Sequence, residues 1–458
     1  MNKPLHPDGS LSRTVDARAM KSTLSHSALV NREQLRPKPR TAGAIACYIA
    51  LLAILLPGGL VAVDASGAKL TVGRIAVLIL LIPALFRLTK ADRHFIASDY
   101  LAALTGIWMV GAAAHVGGDG SVSSAVAVCL EYVGGYFVAR GLFFGSAVST
   151  FIQVLKKFVI VVVLLALADS ITGRLMVHTT LAGIFQSAPL LQPDFRADLL
   201  RTASTFDHPI LFGTFCTLSG ALLMSYEQNR AKRTLWVGVC LLGCILSMSS
   251  APLLSFIIGI VAFTYECFMR NYSWRWSVFW FAVGAGILAI FFVANHPIGW
   301  IISHLTLDPV SGYFRLMIWD LALMKIDQEP WTGFAFNPLH NEILDYTVDC
   351  VWLQLALRFG IPMIVLVALT NIATILPARR NASKVASDPL HWGFTTALVL
   401  TMLTGLTVHY WHFLWIFWGL CLGIRASLRE ASMTEYRMLA DEAMPLMTAD
   451  ISLVHARP

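Results

Sequence analysis

Charged side chains are scarce in this chain. Only 13% of its 458 residues are Asp, Glu, Lys or Arg, while 57% are hydrophobic. A soluble domain carries nearly twice that share of charge, so a water-soluble globular fold is excluded. Short alternating strands are missing as well, which excludes a transmembrane barrel. There is no GxxxxGK phosphate loop and hence no sign of ATP use. No CxxC pair of the zinc-binding type occurs, and the eight cysteines lie mostly inside apolar runs. Cys240 and Cys244, one helical turn apart, are expected to pack as small hydrophobes, and no disulfide scaffold is expected.

What the chain does contain is repeated runs of roughly 20 apolar residues, the length that spans a bilayer core. Hydrocarbon offers no water to backbone groups, so such runs must be helical. They fall near 42–63, 70–88, 95–115, 122–144, 150–169, 208–226, 233–249, 251–268, 275–295, 350–375, 391–408 and 411–426. The expected fold is an all-α polytopic membrane protein with about twelve transmembrane helices. A polar arm covers residues 1–40, the multi-span domain 41–426 and a tail 427–458. The first apolar run is too long for a signal-peptide core and is expected to remain as an anchor.

Lys and Arg favour cytoplasmic connections. The first 40 residues hold eight of them, and 26 of the 34 fall on the same side of the expected helices. Both ends are therefore expected in the cytoplasm. The net charge of +7 follows from this bias and needs no nucleic-acid partner.

Most outer connections are short, but two run long, near 169–207 and 295–349. Long structured loops between spans commonly carry function. In the second, Phe314, Met317, Ile318, Leu321 and Met324 recur at helical spacing within 311–327, interrupted by Arg315, Asp320 and Lys325. That pattern predicts a short amphipathic helix on the membrane surface. Pro330, Gly333 and Pro338 then mark a loop leading to His340 and Asn341.

Taken singly, Arg201, Arg315 and His340 have plain readings. A rim arginine commonly snorkels or pairs with a carboxylate, and a lone interfacial histidine more often packs than reacts. Taken together with their surroundings they say more. The run RTASTFDHPILFG (201–213), the turn LSMSSAP (246–252) and the stretch YFRLMIWDLALMKIDQEPWTGFAFNPLHN (313–341) occur in that order.

This order resembles the superfamily of O-antigen ligases and Wzy-type O-antigen and exopolysaccharide polymerases, which are membrane GT-C-like glycosyltransferases. The likeness covers about residues 200–375; before that only the hydropathy is similar. Two departures stand out. Family members often have an arginine after the serines of the short outer turn, where this chain has Ala251 and Pro252, so Arg315 or Arg358 is expected to take that role. Ligases commonly show a glycine soon after the His-Asn pair, where this chain reads EILDYTVDCVW. The segment VDCVWLQLALRFGIP (348–362) is closer to exopolysaccharide polymerases.

The resemblance implies transfer of a glycan from an undecaprenyl pyrophosphate carrier at the periplasmic face of the bacterial inner membrane, with inversion at the anomeric carbon. Arginine suits a departing diphosphate because its planar fork stays charged and binds phosphate oxygens in pairs. On this reading Arg201 and Arg315 grip the diphosphate, and His340 takes or orients the acceptor proton. Asn341, His208, Asp207 and Arg358 contact the substrate. All are then expected around one cavity open to lipid and water. No cofactor is expected. No metal is expected either, because the first outer loop offers Asp64 as its sole acid and no outward cluster has ligand spacing. The implied partners are the lipid-linked oligosaccharide and the bilayer, with a flippase and a chain-length-control protein.

Two rivals remain. A ligase would use the same chemistry with lipid A core as acceptor. A transporter or flippase would need charges deep in spans and an internal repeat. Glu131 and Asp99 raise that suspicion, but the halves show no repeat and the outer loops are asymmetric.

Overall fold

The computed structural model describes residues 41–58, 62–65, 68–184, 191–196, 198–293, 309–376 and 389–454. The expected polar arm 1–40, part of the second outer loop (294–308) and the basic connection 377–388 lie outside the described residues.

Every apolar run found in the sequence contains a helix. In chain order these are α1 (Thr41–Leu55), α2 (Val72–Leu88), α3 (Ala97–Val116), and α4 (Ser121–Cys129), which passes through a π-helical turn (Leu130–Gly134) into α5 (Gly135–Leu142). Then follow α6 (Ser146–Thr172), the short α7 (Met176–Ile184), α8 (Pro209–Tyr226), α9 (Arg230–Leu246), α10 (Ser250–Met269) and α11 (Arg275–Val293). After α12 (Pro309–Ile326) and the short α13 (Glu342–Tyr346) come α14 (Val351–Phe359), α15 (Ile361–Ile375), α16 (Pro389–Thr404) and α17 (Phe413–Val454). The only sheet among the described residues is two ribbons, β1–β2 (Ala62–Ala65 with Ala68–Thr71) and β3–β4 (Phe195–Arg196 with Leu199–Leu200).

Among the described residues, four helical stretches, Ser121–Leu142, Ser146–Thr172, Pro209–Tyr226 and Ser250–Met269, are long and apolar enough to cross a membrane. The protein is thus a helical membrane protein. Its outward faces are apolar: on α2, Ile79, Ile82 and Phe86 are all more than half exposed. That arrangement is stable against lipid tails and not against water.

The interior is built around α8, α17 and α5. Helix α8 is almost wholly buried between α9, α10 and α16. Helix α17 lies against α5 at unusually close range, because a Cβ at Gly419 would come within 2.3 Å of the Tyr132 carbonyl oxygen. Gly423, one turn on, meets the Tyr136 carbonyl oxygen in the same way. Small residues four apart let two backbones approach where no water drives them together. A buried hydrogen-bonded chain crosses this core: Trp418 Nε1 donates to Asn371 Oδ1 at 3.0 Å, and Asn371 Nδ2 donates to Tyr132 Oη at 3.2 Å.

Two expected boundaries shift. The run 350–375 is two helices, broken at Gly360, whose φ of 78° is open to glycine and strained for other residues. A Cβ there would fall 1.9 Å from the Trp331 carbonyl oxygen. The last helix does not stop near 426 but continues to Val454. The expected surface helix is present as α12, although its buried stripe is Ile318, Ala322 and Ile326, while Phe314, Met317 and Met324 remain exposed. All eight cysteines are free, and Cys240 and Cys244 are buried.

Candidate functional site

Ionic groups collect at the two ends of the bundle. At one end Arg140 binds Asp99 (2.7 Å) and Glu430 (2.7 Å), and Arg93 also binds Glu430 (2.8 Å). At the other end lie Arg74, Glu131 and His412. His412 and Glu430 are 18 residues apart on the path of α17, about 27 Å at the helical rise of 1.5 Å per residue. That separation is close to the thickness of a hydrocarbon core.

The second cluster borders a cavity of about 380 Å³, within the range of small-molecule sites. Several elements reach it. Strand β2 brings Lys69, and the first turn of α2 brings Arg74, whose backbone N–H is capped by Thr71 Oγ1. Helix α4 and the π-turn supply Ser124 and Glu131. Helix α14 supplies Gln354 and Arg358, and the connection from α16 to α17 supplies His409, Tyr410, Trp411 and His412. Phe336 closes one side from the long outer loop.

The electrostatics are positive, since three cations face one carboxylate. Glu131 is buried and accepts from Arg74 Nε at 2.8 Å, with His412 Nδ1 at 3.1 Å from the same oxygen. Arg74 also donates to the Lys69 carbonyl oxygen through Nη1. Arg358 has no carboxylate partner of this kind: among the described residues no ion pair reaches it. Its guanidinium sits over the Phe336 ring, 4.3 Å from the centroid. Burial, and then the charges of Arg358 and His412, holds the His409 imidazole well below its ordinary pKa, so it is neutral at pH 7. Its buried Nδ1 has no hydrogen-bond partner among the described residues. A half-buried guanidinium with no ion-pair partner among the described residues, next to unspent hydrogen-bonding capacity, is costly unless a ligand completes it.

Of the residues singled out in the sequence, Arg358 lines this cavity; Arg201, Arg315 and His340 do not. Arg201 lies on an adjoining shelf, where its backbone N–H donates to the Asp194 carbonyl oxygen (2.8 Å) and its side chain reaches Asp194 Oδ2 and Ser249 Oγ. His208 caps α8: its Nδ1 accepts from the Ile210 N–H at 3.2 Å, and its ring meets Trp411 edge-on at 5.3 Å. Trp411 in turn touches His409 at 5.5 Å, so one indole joins shelf and cavity. The charges acting on His208 are those of Arg201, Asp349, Asp194 and Arg196. Arg315 Nε lies 4.0 Å from Asp349 Oδ2. Arg201, His208, Asp349 and Arg315 are therefore brought into one neighbourhood.

Asp207 sits beneath the cavity beside His412, since both side chains come within 3.3 Å of where a Cβ at Gly58 would be. His340 is exposed, with a left-handed φ of 54°. Asn341 caps α13, its Oδ1 accepting from the Ile343 and Leu344 N–H groups at 3.1 and 3.0 Å. The turn that lacks the arginine of the resembling family is served by Arg196, whose Nη1 donates to the Met248 carbonyl oxygen at 3.1 Å, and by Arg201 through Ser249. No protein-family model matches the chain, and no curated protein matches it.

The residues that sequence reasoning did not assign to the transferase site are Lys69, Arg74, Glu131, His409 and His412. Lys69 and Arg74 are basic residues on the side where such residues are rare, and Glu131 is an acid inside an apolar run. An ionisable group at membrane depth is by default a functional candidate. Asp99, the other suspect, is held by Arg140 and Tyr136 at the far end.

Proposed function

We propose that this protein is a membrane glycosyltransferase that joins undecaprenyl-pyrophosphate-linked repeat units into a polysaccharide. On this reading the chain crosses the bacterial inner membrane about twelve times with both termini in the cytoplasm. The cavity then opens at the periplasmic face.

The observation that carries the reading is the excess of positive charge in a cavity walled by membrane helices. Lys69, Arg74 and Arg358 meet a single carboxylate, Glu131, and Arg358 has no counter-ion of its own. A diphosphate supplies the missing negative charge. It is also a leaving group whose developing charge needs stabilising, and preorganised cations in a low-dielectric site do this without reorganising. Arg201, paired with Asp194, and Arg315, near Asp349, lie in the neighbourhood that His208 and Trp411 join to the cavity, along the path by which a charged glycan carrier would enter.

Transfer needs an acceptor, which on this reading enters beside the donor diphosphate. The acceptor hydroxyl attacks the anomeric carbon from the side opposite the diphosphate, which inverts its configuration. The absence of a glycine soon after Asn341 and the segment VDCVWLQLALRFGIP (348–362) favour a polymerase over a ligase.

The test is reconstitution of the full chain in lipid with purified undecaprenyl-pyrophosphate repeat units, without nucleotide or added metal. Carrier-linked products of increasing length support the polymerase. Transfer onto lipid A core without elongation would replace it with the ligase, and movement of the carrier across the bilayer without bond formation would replace it with transport.

A further inference from the structure

The cavity contains a buried carboxylate–histidine pair that the motif resemblance does not assign. We propose that His412, held by Glu131, is the base that accepts the proton of the acceptor hydroxyl. This deepens the glycosyltransferase reading and rests on it.

Glu131 is 1% exposed and lies within the π-helical turn between α4 and α5. Such turns arise where a helix is distorted to aim a side chain, often at a functional site. A carboxylate at this depth costs several kcal/mol of desolvation unless it is well paired. Its partners are Arg74 at 2.8 Å and His412 Nδ1 at 3.1 Å, both at Oε1. His412 itself is one-third exposed, faces the cavity and has a left-handed φ of 33°, a strained backbone that fixes the ring at the start of α17.

The tautomer follows from the contacts. Arg74 Nη2 also approaches His412 Nδ1, at 3.4 Å, and would suit a lone pair there. A lone pair on Nδ1 would then face the Glu131 oxygen at the shorter distance, lone pair against negative charge. Arg74 already has Glu131 and the Lys69 carbonyl oxygen as acceptors. The proton therefore sits on Nδ1 and points at Glu131, which leaves Nε2 as a proton acceptor. The other charged or titratable groups around this ring are Arg74, Lys69, Arg358, His409 and Asp207.

In the step, the acceptor oxygen forms its bond to the anomeric carbon as the bond from that carbon to the diphosphate oxygen breaks. The bonding pair leaves with the diphosphate, which Arg358, Arg74 and Lys69 receive. The hydroxyl proton passes to His412 Nε2, and the imidazolium is balanced by Glu131 until the proton returns to water. His412 is the catalytic residue and Glu131 the positioning residue. His340 is exposed and lines none of the cavity.

The experiment measures kcat, KM and undecaprenyl pyrophosphate binding for the reconstituted full chain and for His412→Ala, His412→Gln, Glu131→Gln and His340→Ala. Loss of a general base lowers kcat by about 10²- to 10⁴-fold, so both His412 variants are expected to show that loss with carrier binding retained. Added imidazole is expected to restore part of the His412→Ala rate, which a purely structural role would not allow. Glu131→Gln is expected to lower kcat at least about tenfold, as when the orienting acid of a triad is neutralised, with KM unchanged. His340→Ala, inactive on the motif resemblance, is expected to elongate. If the wild type elongates and His412→Ala elongates equally, or if His340→Ala alone abolishes kcat, the dyad is wrong and the glycosyltransferase stands. If the wild type forms no glycosidic bond, both fall. Should the His412 variants fail to fold, the split between kcat and KM in Glu131→Gln decides.

Discussion

The Arg358 guanidinium lies over the Phe336 ring at 4.3 Å, and the Arg358 carbonyl oxygen accepts from the Ala335 N–H at 2.9 Å. Side chain and backbone of one residue thus bind the same stretch of the outer loop. Phe334 N–H donates to the Leu357 carbonyl oxygen at 2.7 Å, and Ile361 N–H to the Pro330 carbonyl oxygen at 2.8 Å, so the loop is fixed to the α14–α15 corner along several residues. This fastening brings Phe336 to the cavity and leaves His340 outside it.

Arg358 is expected to be the cation most responsive to ligand. A hydrogen bond to a charged group contributes about 1.5–3 kcal/mol, so Arg358→Ala should weaken carrier binding about ten- to hundredfold, and Arg358→Lys should recover only part. Binding titrations in lipid nanodiscs check this. Unchanged binding in Arg358→Ala would remove the diphosphate from this cavity.

Phe336→Ala is expected to act more mildly. A cation–π contact contributes roughly 0.5–2 kcal/mol, so KM for the lipid-linked substrate should rise several-fold while the fold persists. Steady-state kinetics read this directly. A loss as large as that of Arg358→Ala would mean that Phe336 holds substrate itself.

The corner at Gly360 is expected to tolerate no side chain. Its φ of 78° and the 1.9 Å approach of the Trp331 carbonyl oxygen act together. Gly360→Ala should cost at least ~1–3 kcal/mol from backbone strain and lower the unfolding temperature in detergent. A variant with wild-type unfolding temperature and full activity would contradict the described corner.

Asn341 has a structural task that separates it from sugar binding. Removing an N-cap costs about 1 kcal/mol, so Asn341→Ala should lower stability modestly. Asn341→Ser keeps a capping oxygen and should retain both stability and polymer output. If Asn341→Ser is stable but inactive, the amide contacts substrate after all.

Glu430 gives a pH signature at the far end of the bundle. Burial alone would raise its pKa, but hydrogen bonds from Arg93, the His94 N–H and Arg140 outweigh this and hold it below the ordinary glutamate value of 4.5. A carboxylate with a depressed folded-state pKa contributes stability above its unfolded value and loses it as pH falls through the folded value. The unfolding temperatures of wild type and Glu430→Gln should therefore differ near pH 7 and converge as the pH falls below the ordinary glutamate value and through the lower folded-state one. A difference that persists or grows in acid would reverse this assignment.

Much of the scaffold was legible in the sequence because a bilayer constrains it so tightly. Length and hydropathy located the helices, and the bias of Lys and Arg anticipated that Arg93 and Arg140 would gather at one end. The site was less legible because it is made across the chain: Arg74 meets Glu131 over 57 positions, and His412 meets Glu131 over 281. Arg358 was identified, and it lines the cavity. His412 was not, since a histidine among tryptophans near the end of a span looks like interfacial anchoring. Gly419 and Gly423 are written as GLCLG, a small-residue pair visible in the sequence, yet only the contact with Tyr132 and Tyr136 gives the spacing its meaning. The break at Gly360 was hidden because both of its flanks are apolar.

The most direct measurement compares the binding of undecaprenyl pyrophosphate and undecaprenyl monophosphate to the wild type and to Arg358→Ala in nanodiscs. The diphosphate is expected to bind at least about tenfold tighter to the wild type, one charged hydrogen bond's difference, and to lose that preference in the variant. Equal affinity for both lipids, unchanged by the substitution, would contradict the claim that the cavity grips a diphosphate.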